Sequence, residues 1–97
     1  MIGPMKTHKD PDVYKSIRLL ICEIYKKTSA FPQAELFGLT SQLRRAGVSI
    51  DTKYSEGAGR LSSKEFLGFL RISYGSVAEL ATLVTVAMDI GYLSPES

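Results

Sequence analysis

Apolar residues in this chain recur three and four positions apart, and three long stretches carry that spacing. In residues 12–28, Val13, Ile17, Leu20, Ile21, Ile24 and Tyr25 share one side, while Lys15, Arg18, Glu23, Lys26 and Lys27 take the other, the pattern of an amphipathic helix. Pro32 suits a first helical position, so a second helix is predicted from there to about Glu56, with Leu36, Leu39, Leu43, Ala46 and Ile50 on its core face. Gly57, Gly59 and Arg60 end it in a turn. Ser62, Ser63, Lys64 and Glu65 read as a capping box, with the Ser62 hydroxyl accepting from the Glu65 amide. A third helix follows to about Ile90, where Gly91 is placed to close it in a left-handed conformation. Ser94, Pro95 and Glu96 have the form of one more helix start.

The second and third helices are apolar on more than one side. Phe37 and Val48 fall opposite Leu39, Leu43, Ala46 and Ile50. In the third helix Phe66, Leu70, Val77, Val84 and Met88 form one stripe, and Ile72, Leu83 and Val86 lie behind it. A helix that is apolar nearly all round is expected to be buried nearly all round. Gly68, Gly75 and Thr82 repeat along one edge. An interior glycine costs about 1 kcal/mol against alanine, so close approach of another helix is expected there. These second faces predict a homo-oligomer, with Phe37, Arg44, Val48, Gly68, Gly75 and Thr82 at its interface.

A chain of 97 residues with 44% hydrophobic side chains has room for one core. The expected organisation is a flexible N-terminal segment, residues 1–11, and a single helical domain, residues 12–97. No run approaches the roughly 20 apolar residues of a membrane span, and no charged leader precedes an apolar one. The expectation is a soluble, cytoplasmic protein without membrane contact. The single cysteine, Cys22, excludes a disulfide framework and is expected to be a small buried hydrophobe. Net charge is +2, unevenly spread: residues 1–31 hold six bases against three acids, and residues 62–97 hold two against four. That balance permits a nucleic-acid-facing side without demanding one.

Catalytic chemistry finds no foothold. The only histidine, His8, is remote in sequence from any serine or cysteine to activate, and one His with one Cys cannot make a usual zinc site. No phosphate-cradling glycine loop with its lysine occurs. Asp10 and Asp12 read as turn and N-cap residues. The expectation is a non-enzyme with no cofactor and no metal.

The basic residues are more informative. Arg45 shares an edge with Gln42, Ser49, Lys53 and Glu56, a polar strip suited to a phosphate backbone or to local pairing. Arg44 diverges from it by about 100° on a helix, so one surface is not expected to use both fully. It turns toward Phe37 and Val48, where an interface acid such as Glu79 is a candidate partner. Arg60 and Lys64 flank the start of the third helix, and helix N-termini favour anions. Pairing of Arg60 with Glu56 or Glu65 is the competing reading. The candidate phosphate-contacting set is Arg45, Lys53, Arg60, Lys64, Lys15, Lys26 and Lys27.

Residues 38–60, GLTSQLRRAGVSIDTKYSEGAGR, resemble the central helix of the small four-helix-bundle proteins encoded in intervening sequences of bacterial 23S ribosomal RNA genes. The matching positions are Gly38, Leu39, Thr40, Ser41, Gln42, Leu43, Arg44, Arg45, Ala46, Val48, Ser49, Ile50, Glu56, Gly57, Gly59 and Arg60. The likeness extends through Lys64, Glu65, Phe66, Gly75, Ser76, Glu79 and Leu80 to Gly91, Tyr92 and Leu93, and covers roughly residues 12–95. Family members commonly read Pro, Ala, Asn, Ile, Ala where this chain has Asp51, Thr52, Lys53, Tyr54 and Ser55. That exchange removes a helix kink and turns the bulk of Tyr54 toward the core. Tyr14 stands where the family often has tryptophan.

The resemblance implies an all-α, up-down antiparallel bundle of the four-helix type. Three long helices are present, and the fourth is missing or truncated after Ser94. It also implies a ring-like homo-oligomer, often a pentamer, associated with RNA. Related bundles serve as accessory proteins of diversity-generating retroelements. The alternative expectation is therefore a protein-interaction scaffold that docks a reverse transcriptase or another partner through apolar helix faces.

Overall fold

Helical periodicity is realised in three segments of the structure, a computed structural model that describes residues 11–59 and 63–95. They are α1 (Pro11–Thr28), α2 (Leu39–Ala58) and α3 (Ser63–Ile90), with one turn of 3-10 helix, Gln33–Glu35, between the first two. The described residues contain no strand. Expectations placed on residues 1–10, including His8 and Asp10, and on Arg60, Ser62 and Glu96 lie outside the described residues.

Successive helices run antiparallel. Gly47 of α2 faces Ile21 and Ile24 of α1, and the rings of Tyr54 and Tyr14 lie 6.4 Å apart. On the other side the Ser49 and Ser76 hydroxyls meet at 3.0 Å, and Gly57 faces Phe66 and Phe69. So α2 is the middle element, and no Cα of α1 comes within 8 Å of one in α3. The radius of gyration is 15.6 Å, whereas a compact globule of this length has about 12 Å. The molecule is elongated, 51 × 24 × 20 Å, with much apolar surface uncovered.

Its core joins Ile24, Phe31, Leu39, Leu43, Ala46, Ile50, Leu80 and Ala87, with Ile17, Leu83, Val84, Tyr92 and Leu93 against them. The side of α3 that packs is centred on Ser73, Leu80 and Ala87, not on the predicted stripe through Leu70 and Val77. Gly57 accounts for part of the difference. A Cβ there would overlap the Phe69 side chain, so α2 and α3 close tightly at that point and Phe69 turns toward α2. Gly57 is therefore a packing residue inside α2, not a turn residue as the sequence had implied.

Within one chain α3 is not buried nearly all round: Leu67, Ile72, Tyr74, Val77, Val86 and Ile90 are exposed. A Cβ added at Gly68 or Gly75 would meet nothing within 4 Å, so the close helix approach expected there is not made inside the chain. Thr82 is exposed, and its hydroxyl donates to the carbonyl of Ala78. By length and composition α3 meets the requirement for a membrane span, with a mean hydropathy of 1.2 in its qualifying 18-residue window. This corrects the expectation of no such run. Small residues such as Ala78, Ala81 and Ala87 raise the average without forming an unbroken aliphatic stretch.

The start of α2 also differs. Pro32 leads into the 3-10 turn, and α2 begins after Gly38, leaving Leu36 exposed in the connecting turn and off the core face. Gly38 offers no side-chain cap, so the Glu35 carboxylate takes that role: its Oε1 accepts from the Leu39 amide at 3.2 Å. A Cβ at Gly38 would sit 2.8 Å from that oxygen. The other oxygen, Oε2, accepts from the Tyr92 hydroxyl at 3.1 Å, and the Tyr92 ring lies 5.2 Å from Phe31. Beyond this start α2 runs unbroken through Asp51, Thr52 and Lys53 to Ala58.

Gly91 closes α3 as predicted. Its φ is +97°, and the Tyr92 amide donates to Ala87 at 2.9 Å while its own amide donates to Met88 at 3.0 Å. Ser94 and Pro95 do not begin a further helix within the described residues. Cys22 is exposed, contrary to expectation, because α1 turns Ile24 and Thr28 to the core and leaves Cys22 on its outer side.

Candidate nucleic-acid interface

A concavity of about 720 Å³ lies on the face of α2 turned away from the core. Tyr25 of α1 forms one wall, Leu36 and Phe37 of the connecting turn close one end, and Arg44, Arg45, Val48, Ser49, Thr52 and Lys53 line its length. The two adjacent arginines, expected to serve different surfaces, border the same cleft, because it spans most of the outer face of the helix. Phe37 is 93% exposed beside them. Three cations and an uncovered aromatic ring thus share one open site.

Arg44 is fixed before any ligand arrives. Its guanidinium lies over the Tyr25 ring at 4.6 Å, and its Nε donates to the Thr28 hydroxyl oxygen at 2.9 Å. The Thr28 hydroxyl is itself committed as a donor to the Ile24 carbonyl at 2.7 Å, so its lone pair is left for Arg44. These partners are all neutral. No carboxylate among the described residues lies within 4.0 Å of Arg44, which is half-buried, nor of Arg45, which is exposed. Glu79, the acid considered for Arg44, instead borders a second cleft with Gln42, Arg45, Ala46 and Ser49. Lys53 reaches Glu56 at 3.9 Å, an exposed pair of the kind that contributes little.

A match to the family model for the 23S rRNA-intervening sequence protein runs over residues 9–97. The chain belongs to that family. No curated protein matches it. Membership in the 23S rRNA-intervening sequence protein family gives the cationic cleft an RNA-related setting.

Of the predicted phosphate-contacting set, this family member brings Arg45 and Lys53 into the cleft. Lys15, Lys26 and Lys64 are exposed elsewhere, and Arg60 lies outside the described residues. Lys27 lines a different cavity of about 230 Å³ with Leu20, Glu23, Ile24, Leu43, Val84 and Leu93, in the furrow between α1 and α3. Phe37, Arg44 and Val48, predicted as interface residues, share the cleft with Arg45, whereas Gly68, Gly75 and Thr82 sit on exposed α3. The involvement of Tyr25 was missed, because its wheel position reads as core and only the crossing of α1 on α2 puts its ring under Arg44. Among the described residues no group of three or more His, Cys, Asp or Glu is placed to hold a metal ion.

Proposed function

We propose that this protein is a non-catalytic, oligomeric RNA-associated helical protein of the cytoplasm that holds RNA through its phosphate backbone. The observation that carries this reading is the gathering of Arg44, Arg45 and Lys53 along one open cleft with no carboxylate on either arginine. Cations clustered on one helix face are the electrostatic footprint of a phosphate-binding surface, and such binding weakens steeply with salt. The test is fluorescence anisotropy with a structured RNA across a salt series. Log affinity is expected to fall linearly with log salt, and an Arg45→Ala, Lys53→Ala double variant is expected to lower the slope by about two units, one per contact. Absence of binding at low salt defeats the reading.

The apolar surface of α3 favours a second role, assembly with other protein. In an up-down bundle a fourth helix lies beside the first and the third. The furrow between α1 and α3, floored by Leu43 and walled by Leu20, Ile24, Val84 and Leu93, is such a place. We read this furrow and the exposed side of α3 as the surfaces that join copies of the chain, a pentameric ring being the family-like arrangement. Docking of a reverse transcriptase or another protein is the alternative use of the same faces.

A further inference from the structure

We propose that the cleft on the outer face of α2 is specific for single-stranded RNA and takes an unstacked base against Phe37, with the adjoining phosphates on Arg44, Arg45 and Lys53. The inference rests on the RNA-associated reading above and adds the form of RNA and the role of the aromatic wall.

The cleft is built unlike a simple basic patch. A surface that only tracks a duplex backbone needs cations and no aromatic platform. Here Phe37 stands almost wholly in water at one end of the cleft, next to the positive charge and within the same concavity. Side chains that stack on unpaired bases are aromatic or planar and guanidinium-bearing, and the bases of a duplex are not open to such stacking. Phe37 is one such group. Arg44 serves a phosphate beside it: its guanidinium is already parked on Tyr25 and tied by Nε to Thr28, so little side-chain freedom remains to be lost on binding.

The axial layout fits a strand more than a lone anion. At 1.5 Å per residue Arg45 and Lys53 are about 12 Å apart along α2, with Ser49 and Thr52 between them on the same lining. Two cations at that separation suit phosphates about two nucleotides apart on one strand, with hydroxyls along the lining between them. The volume, about 720 Å³, lies within the range of sites that enclose small organic ligands, so a base has room to enter. Charge also points to a polyanion as the occupant: the cleft is positive and no acid lines it.

The experiment compares end-labelled single-stranded RNA with a duplex of the same sequence by anisotropy, using the full chain, Phe37→Ala and Arg45→Ala. Sedimentation mass and a thermal melt are recorded for each. Single strands are expected to bind at least about tenfold more tightly than duplex. Phe37→Ala is expected to lose about 5- to 150-fold in single-strand affinity, the range for one stacked base, with an unchanged salt slope, mass and melt. Arg45→Ala is expected to lower the slope by about one unit. Salt-dependent binding that ignores Phe37→Ala, or that favours duplex, overturns this proposal and leaves the backbone-binding function standing. A Phe37→Ala protein with altered mass and unaltered RNA affinity makes the face a protein interface and also overturns it. No RNA binding at all overturns both.

Discussion

Gly57 and Gly68 are both helical glycines, yet they answer to different physics. At Gly57 a methyl group would overlap Phe69, whereas at Gly68 and Gly75 it would meet open space. Gly57→Ala is therefore expected to cost about 1–3 kcal/mol in urea unfolding, because α2 and α3 must part. Gly68→Ala and Gly75→Ala remove only a backbone-entropy penalty within the chain, and each is expected to add about 0.5–1 kcal/mol. Should either instead lower the oligomer mass, the edge of α3 is a contact between copies. Ser73 makes a third case: its hydroxyl is buried with no hydrogen-bond partner. Ser73→Ala is expected to raise stability by about 1 kcal/mol, read by the shift of the urea midpoint at constant slope. The sequence did not foretell these outcomes: Gly57 reads there as a turn residue and Gly68 and Gly75 as points of close helix approach, because which glycine meets a neighbour depends on how the helices cross.

At the scale of elements, the ends of α2 and α3 are tied by one carboxylate. Glu35 caps α2 with one oxygen and receives the Tyr92 hydroxyl, 57 positions away, with the other. That hydrogen bond is the main reason the Tyr92 pKa stands above its ordinary 10.0, with burial and the Glu35 charge adding to it. A raised folded-state value means that stability gained from the neutral phenol is complete below about pH 10 and is lost as pH climbs through the folded value. The stability difference between wild type and Tyr92→Phe, measured in urea, is therefore expected to hold steady from about pH 7 to 9 and to shrink above about pH 10. The sequence showed the end of α3, since a positive φ at Gly91 asks for glycine whatever surrounds it. It misplaced the start of α2. Pro32 precedes a 3-10 turn as readily as it opens an α-helix, and the residue that caps the true start, Glu35, is held from the far end of the chain by Tyr92. The cleft was half legible for the same reason. Arg45, Ser49 and Lys53 share a helix edge and can be read from spacing, whereas Arg44 joins them only because α1 delivers Tyr25 and Thr28.

For the molecule as a whole, exposed Ile72, Val77, Val86 and Ile90 on α3 are the strongest argument for assembly. An interface core is depleted of charge, and burying an unpaired charge costs several kcal/mol. Ile72→Lys is accordingly expected to reduce the sedimenting species to monomer while helical circular dichroism is retained. An unchanged mass would place the contact elsewhere. The three-helix topology was legible because amphipathic periodicity is local. The partial cover of α3 was not, since it depends on which side of the helix Gly57 draws toward α2.

The central position of α2 has one more consequence. Since the backbone of α1 approaches that of α2 and not that of α3, and α1 buries only Ile24 and Thr28 of its own residues, it is expected to detach more readily than α2 and α3 part. Amide hydrogens of α1 are thus expected to exchange faster than those of α2, through a partial opening less costly than global unfolding. In that opened form the side of α2 that carries Gly47 would be open to the α1 of a neighbouring copy, since every copy carries the same first helix. Such an exchange of first helices would link subunits without any surface beyond those already built into the single chain.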